Sequence, residues 1–132
     1  MNDPKILIVD DDPVVLETIS MMLSSEDIAS AKALNVDAIR HANLDKFDCI
    51  LLDIWLSDSY GEESLEILAR HSYRGSGIVL SGAPKDEINA VATKGLRLGL
   101  SVIGYLRKPV SKAELNRVLA LNPRLQFFLE SA

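Results

Sequence analysis

The stretch FDCILLD, residues 47–53, places a carboxylate directly after a run of apolar side chains. Residues 49–52 are apolar without interruption, a pattern that is typical of a parallel strand covered on both faces. Asp53 follows at the point where such a strand would end. In open α/β sheets ligands bind outside the carboxyl ends of the strands, so this acid indicates the mouth of a functional crevice.

Two other apolar runs also end in charged residues. The run ILIV at residues 6–9 is followed by three consecutive aspartates, residues 10–12, and the run at 102–106 is followed shortly by Lys108. Because the carboxyl ends of parallel strands meet at one edge of a sheet, we expect these side chains to lie near Asp53. The sequence therefore predicts one small pocket that contains several acids and a lysine.

Along the whole chain, short apolar runs alternate with segments of helical periodicity. Such alternation predicts an α/β fold with a parallel sheet, helices on both faces and right-handed crossovers. Each predicted strand is followed by a helix, which gives five βα units in one domain. The predicted strands are residues 5–9, 28–32, 47–52, 77–80 and 102–106, and the predicted helices begin near residues 12, 35, 62, 85 and 111.

Three of the helix starts carry recognisable capping residues. Asp12 precedes a proline, which is favourable at the first helical position, and Asn35 precedes the second helix. Ser111 and Glu114 form the pattern of a capping box, in which each side chain would accept from the backbone N–H of the other residue. These residues predict where helices begin, and they give Asp12 a structural role that competes with metal binding.

The bulk composition indicates one globular domain in a reducing compartment. The chain has 132 residues, with 14 lysines and arginines against 19 aspartates and glutamates, and a net charge of −5. This charge disfavours nucleic acid and anionic membranes as partners of the domain. The single cysteine, Cys49, cannot form an internal disulfide, which favours a cytoplasmic location. We find no signal peptide and no apolar run of transmembrane length.

The predicted pocket suits magnesium-assisted phosphoryl chemistry. Clustered carboxylates repel one another unless a cation joins them, and Mg²⁺ prefers oxygen ligands in an octahedral arrangement. Three ionised acids, one lysine and one Mg²⁺ together carry no net charge, so the site is able to accept a dianionic phosphoryl group. A carboxylate is able to attack phosphorus and form an acyl phosphate, while the metal and the lysine neutralise the transferring group.

The chain resembles the receiver domains of response regulators in two-component signalling, over residues 5–121. The resemblance implies a CheY-like, flavodoxin-like single domain, a (βα)5 doubly wound parallel sheet with strand order 2-1-3-4-5. It places the receiver at residues 1–122. The apolar residues Phe127, Phe128 and Leu129 then leave two alternatives for 123–132, a C-terminal tail that packs back on the sheet or the start of a linker to an effector domain, and exposed aromatic side chains favour the linker. The motifs that carry the resemblance are ILIVDDD at 6–12, LLD at 51–53 with Gly61 eight positions on, LSG at 80–82 and YLRKP at 105–109.

The resemblance also implies a role for each matching residue. Asp53 would accept a phosphoryl group from the phosphohistidine of a sensor histidine kinase or of a histidine phosphotransfer protein. Mg²⁺ would be bound by Asp11, Asp53 and the backbone carbonyl of Trp55, with Asp10 acting through water. Lys108 would pair with Asp53 and then with a phosphoryl oxygen. The domain would be a signalling protein that catalyses only its own phosphotransfer and dephosphorylation.

A conformational switch is a further implication of the resemblance. Ser81 would supply a hydroxyl that moves to the phosphoryl group, and Tyr105 would move inward with it. The peptide bond between Lys108 and Pro109 would be cis, which is plausible only before a proline. The signal would reach the face built by the fourth helix, the fifth strand and the fifth helix, through which two copies would also be able to form a homodimer.

The sequence departs from the usual receiver pattern near Asp53. Trp55 stands where a methionine or a smaller residue is usual, and Ser57 stands where a proline is usual. Further along, the segment at 99–109 is similar to that of receivers fused to EAL-type cyclic di-GMP phosphodiesterases. An effector domain of that type is therefore a candidate partner in a longer protein.

Two other functions stay open on the sequence alone. A pseudo-receiver would be a protein-interaction module that no longer uses phosphate, although the intact acids, Ser81 and Lys108 argue against it. A hydrolase of the haloacid-dehalogenase type would use an Asp-x-Asp motif at the first strand, and Asp10 and Asp12 fit that spacing. Such a hydrolase usually needs a longer chain with a separate cap domain.

Overall fold

A five-stranded parallel sheet forms the centre of the protein. The structure, a computed structural model, describes residues 3–56, 59–82 and 84–131. Numbered in chain order, the strands of this sheet are β1 Lys5–Val9, β2 Ala29–Ala33, β3 Cys49–Asp53, β4 Ser76–Ser81 and β5 Ser101–Arg107. They lie in the order β2-β1-β3-β4-β5, which confirms the predicted order, and the predicted strand ends are within two residues of the observed ones.

Helices follow the strands along the chain and cover the sheet. Three elements are additional to those predicted from the sequence: a last helix, a short 3-10 turn, and an antiparallel hairpin in which Trp55–Leu56 pairs with Ser59–Tyr60. The helices are α1 Pro13–Ser24, α2 Val36–Arg40, α3 Gly61–Arg70, α4 Lys85–Arg97, α5 Lys112–Leu119 and α6 Pro123–Ser131, with a 3-10 turn at Leu44–Lys46.

The predicted helix caps are confirmed, with one correction. The side chain of Asp12 accepts a hydrogen bond from the backbone N–H of Val14 at 2.9 Å, and Asn35 Oδ1 accepts from the backbone N–H of Ala38 at 2.9 Å. Ser111 Oγ accepts from the backbone N–H of Glu114 at 3.2 Å. The reciprocal half of the capping box is wrong, because the Glu114 carboxylate pairs with Arg117 at 2.7 Å instead.

Side chains of the central strands alternate between two apolar cores, one on each face of the sheet. In β1, Ile6 and Ile8 join the core beneath α1 and α5, whereas Leu7 and Val9 join the core beneath α2 and α3. The same alternation runs through β3. The uninterrupted apolar pattern of residues 49–52 therefore reflects burial on both faces, as predicted.

The single cysteine is a buried core residue. Cys49 is fully enclosed in β3, and burial raises the pKa of its thiol to about 12. A thiol that stays protonated in this way is a poor nucleophile and a poor metal ligand, so Cys49 serves the core as a small apolar side chain.

Among the helices that the structure describes, none combines the length and apolarity that are needed to cross a membrane.

Candidate functional site

Three aspartates meet at the carboxyl edge of the sheet. Asp53 is the last residue of β3, and Asp10 and Asp11 follow β1, the strand beside it. One carboxylate oxygen from each residue lies within 4.8 Å of the other two. Asp10 and Asp53 are buried, whereas Asp11 is exposed. The structure therefore brings together the three acids that the sequence placed in one pocket.

Lys108, the residue after β5, joins the pocket from two strands away from Asp53. Its Nζ lies 2.6 Å from Asp10 Oδ2 and 3.0 Å from Asp53 Oδ2. Its backbone N–H donates to the carbonyl of Ser81 at 3.1 Å, which ties it to the end of β4. The Lys108–Pro109 peptide bond is cis. One ammonium group thus bridges two buried carboxylates that belong to different strands.

The remaining oxygens of the two buried acids are held by the backbone. Asp10 Oδ1 accepts from the N–H of Asp12 at 2.9 Å, and Asp53 Oδ1 accepts from the N–H of Trp55 at 3.1 Å. Each acid therefore binds the backbone two residues ahead with one oxygen and faces Lys108 with the other. Short polar side chains are known to stabilise loops in this way.

The chemistry of the donor set fits a magnesium ion. All three side chains offer carboxylate oxygens, which are the ligands that Mg²⁺ prefers. Asp10 Oδ2 is buried, and the Nζ of Lys108 lies 2.6 Å from it. One ammonium group beside three carboxylates leaves a negative cluster, which a bound cation would stabilise. Asp12 is outside this group, because its carboxylate caps α1.

The two central charges influence each other's protonation. Burial raises the pKa of Asp53 above its usual value, and the charge of Asp10 adds to the rise. The Trp55 N–H and Lys108 act in the opposite direction without cancelling it. Burial would lower the pKa of Lys108, but its contacts with Asp10 and Asp53 outweigh that effect, and the pKa is raised. Lys108 therefore stays cationic, and Asp53 loses its proton at a higher pH than an exposed aspartate.

This raised pKa predicts how stability depends on pH. Because the pKa of Asp53 is higher in the folded protein than in the unfolded chain, protonation of Asp53 favours folding. This contribution to the free energy of unfolding is fully present below the unfolded pKa and is lost as pH rises through the folded pKa. In metal-free buffer we expect Asp53→Asn to unfold at a higher temperature than wild type at neutral pH. The difference should vanish in acid, where wild-type Asp53 is protonated.

Thermal unfolding in chelator at a series of pH values tests this prediction. The control is Asp45→Asn, which removes the charge of an exposed aspartate and should shift the curve little. A wild-type protein that is more stable than Asp53→Asn at neutral pH would contradict the prediction.

The other predicted residues lie around this pocket. Ser81 ends β4 and is completely buried at the same edge of the sheet. Tyr105 pairs in register with Val79, two residues before Ser81, and its side chain is 39% exposed. Trp55 is 48% exposed at the start of the hairpin. Ser57 lies outside the described residues. The switch roles of Ser81 and Tyr105 and the metal contact of Trp55 stay predictions.

Sequence reasoning missed the two backbone donors of the site. Neither the N–H of Asp12 nor that of Trp55 was predicted to hold an acid. The available signal was the position of Asp10 and Asp53 at strand ends, because aspartate in a tight loop commonly accepts from the backbone N–H two residues later.

The match to a known family covers the whole of this site. The family described as response regulator receiver domain matches residues 6–120 of the chain. The cell cycle response regulator CtrA of Brucella ovis is 30% identical over 112 residues, which are 84% of this chain and 46% of that protein. The chain therefore spans about half the length of the curated relatives that it matches.

Solved structures share the fold. A response regulator from Colwellia psychrerythraea has a TM-score of 0.76 and 24% identity, covering 99% of this chain and 100% of its own. The chemotaxis protein CheY4 of Vibrio cholerae has a TM-score of 0.77 and 22% identity, covering 92% of this chain and 99% of its own. Resemblance to receivers that carry EAL-type phosphodiesterases stays a prediction. With the family match, the CtrA relative and the CheY-like fold in agreement, this chain belongs to the response regulator receiver domains of two-component signalling.

Proposed function

We propose that this receiver is a phosphorylation-dependent switch in which Asp53 accepts the phosphoryl group. The donor would be a phosphohistidine on a sensor histidine kinase or on a histidine phosphotransfer protein. The observation that carries the proposal is the contact of Lys108 Nζ with the buried carboxylates of both Asp53 and Asp10, at 3.0 and 2.6 Å. A buried acid beside a cation, at the carboxyl edge of a parallel sheet, is suited to nucleophilic attack on an anionic group.

The transfer would form one bond and break one. A carboxylate oxygen of Asp53 attacks phosphorus, the phosphorus–nitrogen bond of the phosphohistidine breaks, and the imidazole leaves with the electron pair and takes up a proton. The Trp55 N–H, which donates to Asp53 Oδ1, keeps the carboxylate oriented for this attack. Lys108 Nζ then exchanges Asp53 for a phosphoryl oxygen while it keeps Asp10 as a partner.

Receiver domains bind Mg²⁺ at an acidic cluster of this kind, and we propose the same here. Asp11, Asp53 and the backbone carbonyl of Trp55 would bind the ion directly, and Asp10 would act through water. The bound ion would supply positive charge that the transferring phosphoryl group needs in the transition state. The three acids, the ion and Lys108 then balance in charge, so the pocket would accept a dianion without net repulsion.

The response would travel away from Asp53 through β4 and β5. Ser81 would move to the phosphoryl group and Tyr105 would turn inward, biasing an existing equilibrium between two conformations. The changed face would be that of α4, β5 and α5, which would contact a downstream partner or a second copy of the chain. An effector domain, of the EAL type or another, would read this state in a longer cytoplasmic protein.

Chemical phosphorylation tests the proposal. Acetyl phosphate with Mg²⁺ is expected to add one phosphoryl group per chain, and Asp53→Asn is expected to abolish the addition, since the amide is a poor nucleophile. Intact-protein mass spectrometry measures both. The matched control Asp45→Asn should be labelled like the wild type. Labelling of Asp53→Asn at the wild-type level would contradict the proposal that Asp53 is the acceptor.

A wild-type protein that stays unlabelled would instead favour the pseudo-receiver, a module that binds partners without phosphate. Mg²⁺ titration followed by the fluorescence of Trp55 separates the two cases further. A change in fluorescence is expected if the pocket binds the ion, because Trp55 is joined to Asp53 through its backbone. Multiple turnover of a generic phosphate ester would point to a hydrolase.

A further inference from the structure

Helix α6 lies after the segment that matches the receiver family, yet it is packed into the receiver core. Leu125 is completely buried and belongs to the same apolar cluster as Leu115 and Leu119 of α5. Phe128 and Leu129 are partly buried against that cluster. The apolar residues of α6 that pack inward are therefore spaced three and four apart, which places them on one face of a helix.

Asn122, the residue before α6, joins the helix to the sheet through hydrogen bonds of its side-chain amide. Asn122 Oδ1 accepts from the backbone N–H of Arg124 at 2.9 Å and of Leu125 at 3.2 Å, so it caps the helix. Asn122 Nδ2 donates to Ser76 Oγ at 2.9 Å and to the carbonyl of Asp48 at 3.3 Å. One buried amide thus starts α6 and ties it to the amino-terminal ends of β3 and β4.

A second contact reaches the amino-terminal end of β1. Arg124 Nη1 lies 2.6 Å from Asp48 Oδ1, and Asp48 Oδ2 accepts from the backbone N–H of Lys5 at 2.9 Å. Asp48 therefore connects the first residue of β1 with the first turn of α6. Since Arg124 is partly exposed, its ion pair alone adds little stability, and the buried Asn122 and Leu125 carry the larger share.

From these contacts we infer that the amino-terminal edge of the sheet is a docking surface for α6, and that α6 unfolds together with the receiver core. Residues 123–131 are then neither a free tail nor a linker, and the cooperative unit extends past the family match at residue 120. This inference concerns the edge opposite Asp53 and does not depend on phosphorylation.

Hydrogen exchange on the whole chain tests the inference. In the wild type, the backbone amides of α6 are expected to exchange as slowly as those of α5, because both would open only with the core. Exchange of α6 at the rate of an unfolded chain, with α5 still protected, would overturn the inference.

The variant Asn122→Asp separates capping from docking. It keeps an oxygen that accepts from the first helical N–H groups, but it loses the donor to Ser76 and to the carbonyl of Asp48. Exchange of the α6 amides is expected to become about ten-fold faster or more, with a lower midpoint of thermal unfolding. Ser76→Ala, which leaves Asn122 intact, should act in the same direction.

The matched control is Gln126→Ala on the exposed face of α6, where only a bond to exposed Glu130 is lost. It should change neither exchange nor the unfolding midpoint. If Asn122→Asp and Ser76→Ala were to behave like this control, the docking role of Asn122 would be refuted.

Discussion

A Lys108→Met variant is expected to be less stable than the wild type by about 3 kcal/mol at neutral pH without metal. Lys108 neutralises Asp10 and Asp53, and its removal leaves two buried carboxylates facing each other without a cation. Removing one partner of a buried ion pair is strongly destabilising because the remaining charge is uncompensated. Chemical denaturation in chelator at neutral pH measures the effect.

The same variant is expected to bind Mg²⁺ more tightly than the wild type. The metal and the ammonium group compete for the same oxygens, so removing Lys108 leaves a more negative pocket to the ion. Added Mg²⁺ should therefore raise the unfolding midpoint of Lys108→Met by more than that of the wild type.

Lys112→Met is the matched control, since Lys112 pairs with Glu26 at 3.0 Å on the surface and exposed pairs contribute little. Lys108→Arg keeps a positive charge, so its stability should lie between that of Lys108→Met and that of the wild type. A Lys108→Met protein with wild-type stability and wild-type Mg²⁺ affinity would show that the lysine does not hold the acids together.

Gly75→Ala is expected to destabilise the protein by about 3 kcal/mol. A Cβ at this position would lie 2.1 Å from the hydroxyl oxygen of Tyr73 and 2.8 Å from the carbonyl oxygen of Asp48. The buried Tyr73 hydroxyl donates to the carbonyl of Phe47 at 2.9 Å, so the added methyl group must either break that bond or separate the backbone segments. Chemical denaturation gives the free energy of unfolding.

Gly77→Ala, two residues further along, is the matched control. The nearest atoms to its Cβ would be 3.9 and 4.0 Å away, and the residue borders a small apolar cavity of about 20 Å³. We expect Gly77→Ala to match the wild type or to exceed its stability by up to about 1 kcal/mol. In a Tyr73→Phe background, which lacks the clashing hydroxyl, Gly75→Ala should cost less than in the wild type. Part of the loss should remain, because the ring carbon Cζ of residue 73 and the carbonyl oxygen of Asp48 would still lie 2.4 and 2.8 Å from the added Cβ. An equal loss in both backgrounds would show that the hydroxyl contributes nothing to it.

Much of the pocket was predictable because parallel strands end at one edge. Asp53, Asp10 and Lys108 are far apart in the chain, but each follows an apolar run, and the alternation of strands and helices brings those ends together. The contacts themselves were not predictable. That Lys108 bridges Asp10 and Asp53, and that the N–H groups of Asp12 and Trp55 hold them, depends on loop geometry that apolar patterns do not specify.

Helix α6 was not predicted from the sequence, for a reason different from that of the pocket contacts. Its start, Asn122-Pro123, has the same form as the start of α1, Asp12-Pro13, which was recognised as a helix signal. The two adjacent phenylalanines after Pro123 favoured a linker over a tail that packs on the sheet. The polar partners that tie α6 to the sheet, Asp48 and Ser76, lie tens of residues earlier in the chain, so no local pattern could reveal them. Hydrogen exchange of the α6 amides, compared with those of α5, decides whether the receiver ends at residue 122 or includes α6.

An acyl phosphate on Asp53 would weaken the hydrogen bond that Asp53 accepts from the backbone N–H of Trp55. As a carboxylate, Asp53 holds the Trp55 N–H through a charge-assisted hydrogen bond, which is roughly twice as strong as a neutral one. Once one oxygen is bonded to phosphorus in the acyl phosphate, the other becomes an uncharged carbonyl oxygen and a weaker acceptor. The modification would thus loosen the anchor of the hairpin at the instant of bond formation, before any movement of Ser81 or Tyr105.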